Sequence, residues 1–294
     1  MAARLGGGAS RLMKLLRQIS IMGISSWLAL FVMLPLLLML VVSFLEHDSI
    51  HIILWKFTIG NYQKLLSAVY FKILFRSLVF SLGVTAIVVL LAYPAAYFIS
   101  CSHVKVKGLL LSMMIIPFWT SSLIRTYAIM AIIKVKGLLN TLLLAMGIMH
   151  QPLQILYSTP AAFIGMVYNL LPFMILPLYS NFEKFDHRVV DAARDLGANR
   201  LTILVRIIIP LTLPGIMAGV LFVFLPSMTL FYIPDLLGGA KSLLMGNLVE
   251  NQFLTMSDWP GGAATSIILT LILLLLMWLY RRATKQYPAA SELL

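Results

Sequence analysis

Residues 185–231 read FDHRVVDAARDLGANRLTILVRIIIPLTLPGIMAGVLFVFLPSMTLF, and every charged side chain among them falls at or before Arg206. Asp186 is a good N-cap for a short helix through Leu196. Gly197 then falls where a helix end needs a left-handed residue, a conformation glycine adopts at little cost. Asn199 can cap a second helix running towards Pro210. From Ile207 onward the run is apolar and long enough for the roughly 20 residues that cross a hydrocarbon core of about 30 Å. The stretch therefore predicts helix, tight glycine turn, helix, then a membrane span.

The rest of the chain repeats this alternation of charged connectors and apolar runs. Of 294 residues, 61% are hydrophobic and 11% charged, with a mean hydropathy of +0.98. Soluble domains run near half apolar and about a quarter charged. A soluble enzyme, a disordered chain and a collagenous one are excluded, leaving an integral protein of the lipid bilayer. Six runs qualify as spans, at about 27–44, 77–100, 109–133, 161–180, 207–231 and 263–280, and none alternates with period two. The fold class is all-α, with six transmembrane helices. Its organisation is a tail of 1–26, a six-span domain of 27–280 with a connecting loop of 181–206, and a second tail of 281–294. Leu12, Leu15, Leu16 and Ile19 lie opposite Arg11, Lys14 and Arg17 and predict a short surface helix before the first span. Charge is absent from Gln18 to Leu45, too long for a signal-peptide core, so the first span is expected to be uncleaved.

The net charge of +12 would point a soluble chain towards nucleic acid. Here the basic residues cluster at the ends of apolar runs and set topology instead; no nucleic-acid partner is expected. With both termini inside, 14 Lys and Arg lie in cytoplasmic segments and 7 outside, as the positive-inside rule requires. None of the 10 acidic residues and none of the 5 histidines falls within a span, so an ion relay of the kind used by secondary carriers has no candidates. Gly238-Gly239-Ala240-Lys241-Ser242 lacks the glycine directly before Lys241 and follows no strand, so a nucleotide-binding loop is not supported. Nor is there a metal-ligating or nucleophilic constellation. These absences point to an energy source elsewhere.

The loop carries a more specific pattern. Asp191-Ala192-Ala193, then Gly197, then Ile207 and Ile209-Pro210 resemble the EAA motif of binding-protein-dependent ABC importer permeases, with Asp for Glu and Ile for Leu. The resemblance implies the type I importer permease fold and a coupling helix that docks on a cytoplasmic ATPase. In that role Asp191 would contact the ATPase, Ala192 and Ala193 would allow close approach, and Gly197 would set the turn. It further implies a second, distinct permease subunit, two ATPase subunits that hold the ATP and Mg, and an extracytoplasmic binding protein. This chain would bind no cofactor and no metal, and would be no enzyme itself. The expected location is a bacterial inner membrane.

Across residues 58–280 the resemblance is strongest to spermidine/putrescine permeases. Ile116-Pro117-Phe118-Trp119-Thr120 with Leu123-Ile124-Arg125-Thr126-Tyr127, then residues 231–239, then Asp258-Trp259-Pro260 carry it. Permeases for opines, aminophosphonates or ferric ion share parts of these patterns. A self-sufficient carrier or channel is the reading from another class. Carboxylates and aromatic rings attract ammonium groups, which makes Tyr62, Tyr232, Asp235, Asp258 and Trp259 candidates for the outer path; the same residues also suit polar loops, an interfacial belt or a contact with the binding protein. Arg125 lies inside the third span. It either gates the path, bonded to carbonyls freed by Pro117, or snorkels outward, and its distance of about two turns from Lys134 favours the second. Trp119 is the better candidate for the path, with Tyr127 beside it.

Overall fold

The computed structural model describes residues 5–48, 53–186, 188–239 and 243–284, with side chains from 17 to 282 within those ranges. His187, the tract 240–242, the tail from 285 and the side chains of the expected amphipathic face at Leu12, Leu15 and Leu16 lie outside it. Six helical runs are long and apolar enough to cross a membrane: Arg17–Ser43, Ala68–Cys101, Ser122–Ala145, Thr159–Glu183, Arg200–Thr229 and Trp259–Arg282.

Helix α1 (Leu5–Ser43) is one continuous helix, covering both the expected surface helix and the first span. A two-stranded ribbon follows, β1 (Leu45–Glu46) against β2 (Leu54–Phe57), and then the short α2 (Gly60–Leu65). The buried Asn61 amide donates to the carbonyls of Ser43 and Leu45 at 3.0 and 2.8 Å, tying α2 to the end of α1. Next come α3 (Ala68–Cys101), α4 (Val104–Ile115), α5 (Ser122–Ile133), α6 (Leu138–Ala145) and α7 (Thr159–Glu183). The loop helices α8 (Arg188–Asp195) and α9 (Arg200–Ile203) lead into α10 (Ile209–Thr229), and α11 (Met245–Glu250) and α12 (Trp259–Thr284) complete the chain.

The core is α7 packed between α3 and α10. Ala162, Met166, Leu170, Met174, Leu178 and Phe182 recur every fourth residue of α7, and none is more than 2% exposed. Val84, Val88, Ala92 and Ala96 form a fully buried stripe of the same period on α3. Two such rows interdigitate as ridges and grooves. Lipid offers no hydrophobic drive between helices, so close approach by small residues takes its place. A Cβ on Gly219 would run into Met174 of α7, and one on Gly215 would stand 2.7 Å from the Asn181 Cβ. Tyr93 and Thr212 add a hydroxyl bond of 3.0 Å between α3 and α10. Helix α1 lies outside this core, along α12.

The third span differs from a continuous 109–133 helix. Its antiparallel course along α7 begins at α4, where Lys107 meets Glu183 at 3.5 Å. It continues through Phe118 beside Tyr168, at 6.3 Å between ring centroids, and Ser122 at 2.8 Å from Asn169. Between α4 and α5 the chain narrows to a 3-10 turn, Ile116–Trp119, and then extends through Thr120. Pro117 explains the break, because it lacks an N–H and its ring collides with the preceding turn.

Candidate functional site

The loop between α7 and α10 forms as its sequence dictates. The Asp186 carboxylate accepts the Arg188 N–H at 3.0 Å and starts α8. At the other end Gly197 has φ +80. Its N–H donates to the Arg194 carbonyl at 2.9 Å and the Ala198 N–H to the Ala193 carbonyl at 3.0 Å, which is the Schellman closure of a helix. The Asn199 side chain accepts the Thr202 N–H at 2.7 Å and starts α9. Val190 and Ala193 turn inward to the core. Asp191, Ala192 and Asp195 face out, and so does Leu196, 88% exposed. A leucine held in that position by a rigid turn is an apolar contact waiting for a partner. Asp191 pairs with Arg194 at 3.1 Å, but both side chains are largely exposed and the pair contributes little to stability. Beyond α9 the helix widens into a π turn, Leu204–Ile208, closed by the Ile209 N–H on the Leu204 carbonyl. Ile207 lies within that turn and Pro210 two residues after its end.

A second cluster forms at the broken span. Arg125 does not reach outward to the interface. Its guanidinium turns back over the break and donates to the carbonyls of Pro117 and Thr120 at 3.2 and 3.1 Å and to the Asn169 Oδ1 at 3.3 Å. It also lies 4.1 Å from the centre of the Phe118 ring. The reason is local supply: the break leaves the Pro117 and Thr120 carbonyls without helical donors and within reach of the guanidinium. A central arginine costs about 2.5–3.5 kcal/mol to insert, whereas each hydrogen bond from a charged donor contributes about 1.5–3 kcal/mol. Three bonds and a ring face offset the cost, with no counter-ion among the described residues. The Ser122 hydroxyl donates to the same Asn169 oxygen at 2.8 Å, so the Tyr232 hydroxyl, 2.7 Å away, donates to Ser122. Trp119 stands on the outer face of the break, 83% exposed, and Tyr127 is half-exposed one turn and more along α5.

Residues 89–286 match the family model described as the binding-protein-dependent transport system inner membrane component. The chain belongs to this family. Relatives of this inner membrane component include the spermidine/putrescine transport system permease protein PotB of Escherichia coli K12, 49% identical over 273 residues, 93% of this chain and 99% of the relative. The protein of the same name in Haemophilus influenzae is 49% identical over 277 residues, covering 94% and 97%. Among solved structures, the bacterial ABC transporter that imports the acidic polysaccharide alginate superimposes with a TM-score of 0.71 at 14% identity, over 92% of this chain and 96% of that one. That likeness is one of fold.

In this inner membrane component the outer candidates do not converge. Of them, Tyr232 joins the Arg125 network. Tyr62 bonds the Ser43 hydroxyl at 2.7 Å and packs on Phe44, so it braces the end of α1. Asp258 accepts the Gly261 N–H at 2.9 Å and caps α12, while Trp259 packs on Phe253 with centroids 6.2 Å apart. Asp235 is exposed at the start of a π turn, Pro234–Gly238. Asn169, Ser122, Phe118 and Leu196 were not anticipated. Asn169 and Ser122 are uncharged, and only their partners 44 and 110 residues away mark them. Leu196 looked like the last apolar residue of an ordinary helix.

Proposed function

We propose that this chain is the permease subunit of an ATP-driven importer of polyamines, and that it forms half of the translocation path beside a second permease subunit. The near full-length likeness to permeases named for spermidine and putrescine carries the solute; the geometry of the 184–206 loop carries the coupling. In this reading both termini and that loop face the cytoplasm. Two ATPase subunits hold the ATP and Mg, and an extracytoplasmic binding protein delivers the solute.

Asp191, Ala192 and Leu196 form the face that docks on the ATPase, and Gly197 fixes its angle to α9. When the ATPase pair closes, the pull passes through the π turn that holds Ile207, past Pro210, into α10, and so to α7 against which α10 is packed. At the broken span, the fixed positive charge of Arg125 opposes passage of a cation while its bond to Asn169, which Ser122 and Tyr232 brace, holds it there. Movement of α7 against α5 releases that hold. Trp119, exposed at the same level, meets the solute or the second subunit.

Uptake of radiolabelled spermidine and putrescine, in cells lacking this chain alone and in cells with it restored, tests the proposal. Loss and recovery of ATP-dependent uptake is expected. Unchanged polyamine uptake would refute the solute, and solute flux through the purified chain without ATP would refute the coupling.

A further inference from the structure

A cavity of about 720 Å³ opens between α3, the α8–α9 turn and the start of α10. Its walls are apolar: Leu90 and Pro94 from α3, Ile203 and Ile208 from the loop side, and Ile216 from α10. Leu90 and Pro94 are themselves exposed, so the cavity opens sideways along a span, where lipid tails lie. At its loop end the lining changes to two guanidiniums, Arg194 of α8 and Arg200 of α9. Arg194 is shared with the exposed Asp191; Arg200 has no ion-pair partner among the described residues. The volume is many times that of a water molecule, about 30 Å³ in the liquid, and apolar walls do not hold water. Hydrocarbon from the surrounding bilayer is the filling that such walls favour.

We propose that this cavity is a binding site for an anionic phospholipid, with one acyl chain between α3 and α10 and the phosphate held by Arg194 and Arg200. The chemistry at both ends argues for a lipid rather than a soluble anion. A free phosphate would engage the arginines and leave the apolar volume empty, whereas a lipid satisfies both at the level where helices leave the hydrocarbon. Basic pockets between spans recognise anionic headgroups in this way, and the planar guanidinium forks onto phosphate oxygens. Val190 and Arg194 line the cavity from α8, so the bound lipid is a wedge under that helix and fixes how it stands against α3. The site holds whatever solute is carried, so failure of the polyamine reading leaves it untouched.

The test uses the full chain with whatever subunits co-purify, delipidated on the column and titrated with phosphatidylglycerol or phosphatidylcholine of identical acyl chains. Native mass spectrometry counts the lipid retained. Each basic residue at the surface is worth roughly fivefold in affinity for an anionic lipid. Wild type should retain phosphatidylglycerol over phosphatidylcholine. Arg200→Gln, which touches no ion pair, should reduce that preference about fivefold, and Arg194→Gln/Arg200→Gln about 30-fold, by the same increments. Ile203→Trp, which narrows the loop end of the cavity and keeps both arginines, should lower retention of both lipids. Equal retention of the two lipids by wild type, retention of neither, or an Arg200→Gln protein indistinguishable from wild type would each overturn the proposal.

Discussion

Replacing Gly197 by Asn, Ala and Val in turn separates a backbone requirement from every packing effect. At φ +80, a Cβ built on this residue meets nothing within 4 Å. Steric collision with neighbours is therefore excluded, and the cost is purely one of backbone conformation. An ordinary L-residue in the left-handed region costs about 1–2 kcal/mol, Asn less, and a β-branched residue more. That corresponds to roughly a five- to thirtyfold fall in the population of the native turn. The strain does not unfold the bundle, because the turn lies on the surface, where a Cβ on Gly197 meets nothing within 4 Å. Its effect should fall on the docking face instead. ATP-driven uptake in membrane vesicles should rank Gly, then Asn, then Ala, then Val, while the melting temperature of the purified protein stays level. Helix propensity would reverse Asn and Ala, since alanine is the better helix former. An Ala variant as active as Asn, or a melting temperature falling in step with uptake, would refute the reasoning.

Gly219→Val should lower the melting temperature of the purified chain, with an overpacking cost of about 1–3 kcal/mol, because its side chain enters the volume of Met174. Met174→Ala in the same chain should recover part of the loss. Arg125→Lys should reduce uptake as severely as Arg125→Met, since an ammonium cannot fork to Asn169 and the two freed carbonyls together; full uptake by the Lys variant would show that charge alone suffices. Trp119→Leu should leave expression and melting unchanged, the side chain being 83% exposed, while uptake by the assembled complex falls. Asn199→Ala removes the α9 cap at a cost of about 1 kcal/mol, and should raise the hydrogen-exchange rate of the Thr202 amide about fivefold.

What could be read from the sequence was what neighbouring residues decide among themselves. Apolar runs long enough to span, the Asp186 and Asn199 caps and the Gly197 turn all follow from residues within a few positions of one another. Pro117 likewise marks the broken third span. The direction of Arg125 was not legible, because two answers were available within its reach. Lys134 suggested the interface; Asn169, on a different span, supplied the bond that turned it inward. The local partners of the outer candidates were not legible for the complementary reason. Tyr62 and Asp258 have residue types suited to an ammonium, yet each is occupied by a nearby backbone or hydroxyl partner that composition does not reveal. The π turns carry no signal of their own in the sequence, since a helix can accommodate one extra residue with almost any side chain.

The turn at Leu204–Ile208 holds that extra residue between the loop and α10. A surplus of this kind behaves like a dislocation in a crystal, able to move along a helix one rung at a time while every other rung stays closed. Each step re-aims by about 100°, the angle between successive residues, only the residue it passes, whereas losing the surplus altogether turns the whole near side by that angle. Release of the surplus would therefore re-aim the whole α8–α9 unit with very little change in α10 itself. Pro210 limits the travel. Lacking an N–H, it has no rung to exchange, so the dislocation is confined to the side facing the loop and α10 receives the motion as a rigid shaft.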